Sequence, residues 1–137
     1  MAAGSAFLCL HLFDGYDGMP LEPAAFFALP VVRSSDPGWI TCAGGGYPAS
    51  GGAGADRLPI VALPAGLSPA PLEGFGEVQT PLRWAGPGEP PGLGDPVLCR
   101  HAKAGELAER FATFVLVRGG RVEATEPTYR GLGACFP

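Results

Sequence analysis

Glycine and proline recur so densely in this 137-residue chain, 22 and 16 times respectively, that any regular element has to be short. Breaks at that density accompany disorder when apolar residues are scarce, yet here 47% of the residues are hydrophobic. That much apolar surface needs burial. The arrangement that reconciles it with so many interruptions is a mainly β domain, a small barrel or sandwich with short helical turns, in which Gly and Pro punctuate the strands. The length suits one domain, residues 1–137, around one core. No repeat of solenoid spacing divides the chain.

The clearest strand signals fall within Gly92–Arg130. Pro96–Arg100 is a short apolar run, and Thr113–Arg118 alternates around Phe114 and Leu116. Gly119-Gly120 supplies the positive φ of a type I′ turn, and Arg121–Thr125 resumes after it with Val122 inward, which predicts a hairpin. Between these strands stand His101, Lys103, Glu106, Glu109 and Arg110, a dense titratable cluster in a chain that is only 16% charged. Two accounts fit it: a functional site, or a solvated helical turn with Glu106 and Arg110 paired at i,i+4 and Leu107 and Phe111 turned inward.

Upstream, the pattern predicts a strand over Ala6–Phe13, then a loop through Asp14–Gly18. Ala24–Arg33 reads as a buried strand in which Pro30 needs an edge or a bulge. Ser34–Gly38 is a turn cluster, Trp39–Cys42 a third strand, and Asp56–Leu63 a fourth with Pro59 near its start. Glu77–Thr80 follows, with Glu77 and Gln79 on one face. Trp84–Gly94 is a Pro/Gly connector, and the tail 127–137 shows no periodicity. The loop Gly44–Gly52 lacks Cβ atoms that would hold backbone away from a neighbour or an anion, but no P-loop lysine or helix follows it. His11 reads as a satisfied, partly buried histidine.

A net charge of −4 and a pI near 5.0 leave no basic stripe for nucleic acid. The longest apolar run, Ala24–Val32, is far below the ~20 residues of a membrane span. No basic residue precedes the apolar start, so no secretory signal is expected. Cysteines 9, 42, 99 and 135 are too widely spaced for a C-x-x-C site, which predicts reduced thiols in a cytoplasmic protein.

Gly94-Asp95-Pro96-Val97, then Arg100-His101-Ala102 and the later Arg-Gly-Gly-Arg-Val resemble the C-terminal domain of D-serine dehydratase-like and D-threonine aldolase-like enzymes. RHAKAGELAERF, with EGFGEVQTPL, AGGGYPASG and HLFDGY upstream, looks most like the bacterial amino acid deaminase/aldolase, alanine racemase-like branch. The likeness runs over nearly the whole chain. It implies a fold-type III plan: an N-terminal (β/α)8 barrel carries pyridoxal phosphate on a lysine, and a β domain closes over it. This chain corresponds to the second part, without the barrel. Its single lysine, Lys103, follows a late strand, where that group has no Schiff-base lysine.

Where the family places a metal-binding His-x-Cys or His-x-Asp pair, this sequence has His101-x-Lys103. The resemblance makes His101 the metal-facing residue, but an ammonium cannot be the second ligand. It further implies His101 and Lys103 as catalytic residues, the former in proton transfer or substrate contact and the latter as a positive charge, with Glu77 and Tyr47 at the mouth of the site. The implied activity is dehydration or aldol cleavage of a small D-amino acid, with an N-terminal barrel domain or a dimer partner completing the site. The alternative is a non-catalytic, truncated β module that binds a partner domain or a small anion. In either case the surface facing a barrel would leave Phe26, Phe27, Trp39 or Trp84 exposed.

Overall fold

The structure is a computed structural model that describes residues 4–18 and 20–134. It is mainly β, with two short α-helices, α1 (Gly4–Leu8) and α2 (Ala104–Leu107). The chain divides into two compact units, Met1–Lys103 and Ala104–Pro137.

Six strands make up the first unit: β1 (Phe27–Asp36), β2 (Trp39–Ala43), β3 (Ile60–Leu63), β4 (Leu67–Pro69), β5 (Gln79–Trp84) and β6 (Pro96–Arg100). They form one antiparallel sheet in the order β3-β6-β1-β2-β5-β4. Its two outer strands, β3 and β4, are joined through Pro64-Ala65-Gly66 alone, so the edges lie side by side and the sheet nearly closes on itself. This is the barrel form of the β architecture expected from the sequence. Closure leaves little free edge for another strand to extend.

Period-two alternation fills the interior. Phe27, Leu29 and Val31 of β1, Ile40 and Cys42 of β2, Leu82 of β5, and Val97 and Cys99 of β6 are all buried. Pro30 belongs to a central strand, which proline normally avoids. It is the last β1 residue paired with β6, opposite Pro96, while pairing with β2 begins at Val31. A bulge follows between Val31 and Arg33. The missing N–H therefore falls where the strand changes neighbours.

Several elements differ from the sequence pattern. β1 continues through Asp36, and only Pro37-Gly38 turns, with Gly38 at φ +77°, as a proline-glycine turn requires. β3 is preceded by a 3-10 turn, Ala55–Arg57, in place of a strand from Asp56. β5 begins at Gln79, so Glu77 lies outside it, and Trp84 ends β5 with its indole N–H donating to Gly88 O at 3.0 Å. Phe27 is buried, Trp39 and Trp84 are half-buried, and of the four aromatics expected on an exposed face only Phe26 is exposed.

The expected strand over Ala6–Phe13 is replaced by α1 and a 3-10 turn, His11–Gly15. The nearly closed sheet offers this segment no full edge to pair with, and it is tied to the end of β6 by side chains instead. The buried Arg100 guanidinium donates to both Asp14 carboxylate oxygens at 2.7 Å and to Cys9 O at 3.0 Å. Such a two-pronged, charge-assisted contact fixes orientation as well as distance.

In the second unit, β7 (Thr113–Arg118) and β8 (Arg121–Pro127) form the expected hairpin, with Gly119 and Gly120 at φ +56° and +74°. A bulge between Leu116 and Val117 shifts the register, and Val122 is exposed, not inward. A two-stranded ribbon has no second layer of its own against which both faces can be buried. Leu107 and Ala108 are buried and Phe111 is half-buried, as the helical-turn account requires.

Cys9, Cys42 and Cys99 are buried free thiols, and Cys135 lies outside the described residues. Burial pushes the Cys42 thiol up to about 11; burial and then neighbouring Cys42 push Cys99 up to about 12. Two predictions follow from this interior. Truncating the fully buried Leu82 to Ala should cost about 2–5 kcal/mol in denaturant unfolding. The raised thiol values favour the neutral folded form, so their contribution to stability is intact below pH 9 and declines as pH rises towards 11 and 12. Urea midpoints measured across that window should fall, and Cys42→Ala should flatten the fall.

Candidate functional site

The sequence-predicted residues gather around the loop that leaves β2. β6 delivers His101 just beyond its last residue, and the side chain is only 3% exposed. Both ring nitrogens meet main chain. Nε2 lies 2.7 Å from Tyr47 O, and Nδ1 lies 3.0 Å from Lys103 N, so which nitrogen donates follows from the tautomer. The Lys103 carbonyl also closes on Nδ1. His101 thus fastens the loop to the chain that follows β6.

Glycines permit the approach on the other side. A Cβ on Gly45 would fall 2.5 Å from Thr80 Oγ1 and 2.9 Å from Leu29 Cδ1, and one on Gly46 would fall 2.7 Å from Glu77 N. These clashes are with packed or backbone atoms, so larger residues do not fit. Gly44 N–H and Gly46 N–H donate to Val78 O and Gly76 O at 2.8 and 2.7 Å. Fully buried Thr80 donates its hydroxyl to Gly44 O at 2.6 Å, which satisfies a polar group that would otherwise be costly in the core.

Tyr47 is half-buried, its ring edge-on to Phe27 with centroids 5.3 Å apart. Its hydroxyl lies over Gly44, 3.2 Å from the point a Cβ there would occupy. Lys103 Nζ donates to Ser50 Oγ at 3.0 Å. His101, Tyr47 and Lys103 are therefore drawn onto one loop. Glu77 abuts it through main chain, while its side chain is exposed. His11, as expected, is satisfied: its Nε2 lies 2.7 Å from Leu58 O.

Sequence reasoning missed Ser50, Thr80 and Arg57. Ser50 and Thr80 act through single hydroxyl bonds that no spacing rule announces. Arg57 packs against Gly51, six residues before it, through a loop closure that no motif marks.

Among the described residues no three His, Cys, Asp or Glu side chains converge as metal ligands. Both ring nitrogens of His101 face main chain, Nε2 towards Tyr47 O and Nδ1 towards the N–H and carbonyl of Lys103, so neither points outward to a ligand in this arrangement. The donor set therefore does not fit a metal. Nor do these residues fit covalent attachment of pyridoxal phosphate. A Schiff-base amine is desolvated or otherwise activated, whereas the chain's one lysine is a half-exposed donor to a serine.

A nearly closed, six-stranded antiparallel sheet with a glycine loop pinned beside β6 defines a small barrel-like β domain. No protein-family model and no curated protein matches the sequence. Among solved structures, the D-threonine aldolase from Filomicrobium marinum is similar, with a TM-score of 0.63 and 21% identity over 86% of this chain. The matched region is 31% of that chain, so the likeness is one of fold and concerns about a third of the aldolase. No helix among the described residues is long and apolar enough to cross a membrane.

Replacing His101 by Ala would strip partners from Tyr47 O and Lys103 N–H. The expected loss is about 1–3 kcal/mol in chemical denaturation, with faster amide exchange along residues 44–50 and little change in β7–β8.

Proposed function

We propose that this chain is the β domain of a pyridoxal-phosphate-dependent lyase of the D-threonine aldolase or D-serine dehydratase type, acting on a small D-amino acid in the cytoplasm. The observation that carries the proposal is the fold likeness to a D-threonine aldolase across 86% of the chain. That likeness is joined by a second feature: the residues singled out from the sequence gather on one loop of that fold.

In this reading the coenzyme and the lysine that holds it belong to a barrel domain, not to this chain. The contribution of the β domain is positional and electrostatic. His101 acts through the Tyr47 carbonyl, holding the loop so that the Tyr47 hydroxyl and Ser50 keep fixed places. Lys103 supplies a positive charge at the position where the related enzymes have a metal ligand, and Glu77 sits at the mouth. A fixed ammonium aimed at developing negative charge lowers a barrier because its orientation is settled before reaction.

The test is a pair of measurements. The purified chain mixed with pyridoxal phosphate and D-threonine or D-serine should give neither an aldimine band nor turnover. The assembled enzyme should turn over, and Lys103→Met should lower its kcat/KM by about 10²–10³-fold with little change in stability. Turnover by the chain alone would overturn the division of labour, and unchanged kcat/KM in Lys103→Met would remove Lys103 from the site.

A further inference from the structure

Two cations approach the stretch Ser50–Gly52 in a chain whose net charge is −4. Lys103 Nζ donates to Ser50 Oγ at 3.0 Å, and an ammonium has two further N–H donors. At the next residue, the Arg57 guanidinium lies flat against Gly51: a Cβ there, at φ +121°, would fall 3.3 Å from Arg57 Cζ and Nε and 3.6 Å from its Nη2. Consecutive Cα atoms are about 3.8 Å apart, so the two cations meet neighbouring residues of one loop, one at a side-chain hydroxyl and the other over a glycine.

The loop that holds them is closed at its base. Ala49 N–H donates to Arg57 O at 2.7 Å, and Arg57 N–H to Gly54 O at 3.0 Å, so Arg57 returns to the loop through its own main chain. Its Nε is buried and hydrogen-bonds to nothing. Asp56 Oδ2 stands 3.5 Å away as an ion pair without hydrogen-bond alignment, and the Asp56 side chain is itself 58% exposed. Arg100 Nε is likewise buried without an acceptor, but the other Arg100 nitrogens donate to Asp14 and Cys9 O, whereas the charge partner of Arg57 among the described residues is the misaligned Asp56. Such a group calls for an explanation. The space beside the next residue is open, since a Cβ on Gly52 would meet nothing within 4 Å.

We infer that Ser50–Gly52, Arg57 and Lys103 form a binding site for a small, singly charged oxyanion, and that its ligand is a carboxylate. Two cations less the Asp56 carboxylate leave one net positive charge, which matches a carboxylate better than a doubly charged phosphate. Planar guanidinium pairs with carboxylate through parallel N–H bonds, and the lysine adds a point charge that adapts to the second oxygen. The site goes beyond the lyase reading, because it concerns equilibrium binding by this chain and needs no barrel, coenzyme or turnover.

Amide and arginine Nε–H resonances of the ¹⁵N-labelled chain test it, titrated with sodium acetate, sodium phosphate and sodium chloride at matched ionic strength. Acetate should shift the Ser50, Gly51 and Gly52 amides and the Arg57 Nε–H saturably, with a Kd on the order of 1 mM. Lys103→Gln should weaken that binding about tenfold while leaving β1–β6 amides in place, and Arg57→Gln should do the same from the other side. Equal shifts with chloride, or undiminished acetate binding in both variants, would overturn the site. Phosphate binding tighter than acetate would overturn the carboxylate assignment. A negative titration beside an active assembled enzyme would sink this inference and leave the domain proposal standing.

Discussion

Near-closure of the six-stranded sheet is the constraint from which most of the first unit follows. With β3 and β4 joined by three residues at opposite ends of the strand order, the sheet has an inside that only alternate residues reach. Those positions hold Phe27, Leu29, Val31, Ile40, Leu82 and Val97, and the same geometry brings two thiols into a medium where ionisation is unfavourable. It also denies the N-terminal segment a strand to extend. That segment is held by Arg100, whose own burial is tolerable because Asp14 and Cys9 O accept its protons.

The loop after β2 shows how a site is built on such a framework. Its conformation depends on absent side chains at Gly45 and Gly46 and on one imidazole that satisfies main chain on both sides. A buried histidine used in this way is a structural tie. Groups able to meet a ligand, the Lys103 ammonium and the Tyr47 phenol, are those the tie sets in place. The division is a reminder that the most conspicuous titratable residue of a cluster need not be the one facing the solvent.

Much of this was legible in the sequence where local rules decide. Pro96–Arg100, Thr113–Arg118 and the Gly119-Gly120 turn were readable because strand alternation and turn chemistry are encoded within a few residues. Ala6–Phe13 was not, since its apolar run satisfies a strand pattern equally well and only the occupied sheet edges decide against it. Which of Phe26, Phe27, Trp39 and Trp84 would be exposed was not legible, because exposure of an aromatic depends on which way the whole strand faces; Phe26 is the exposed one. Around the loop, His101, Lys103 and Tyr47 were singled out from the sequence, but Ser50, Thr80 and Arg57 were not: the first two bond across the fold to Lys103 and Gly44, and Arg57 meets Gly51 through the way the loop closes, none of which leaves a trace in spacing.

β1 carries two irregularities, between Val31 and Arg33 and between Ser34 and Asp36, on the side paired with β2, while its pairing with β6 over Phe27–Pro30 is regular. The two halves of that strand therefore keep independent phase. A one-residue insertion or deletion among 32–35 can be taken up locally without inverting the facing of Phe27 and Leu29. Divergence in chain length among relatives has a natural place to accumulate there, close to the Pro37-Gly38 turn and away from β6 and the histidine it delivers.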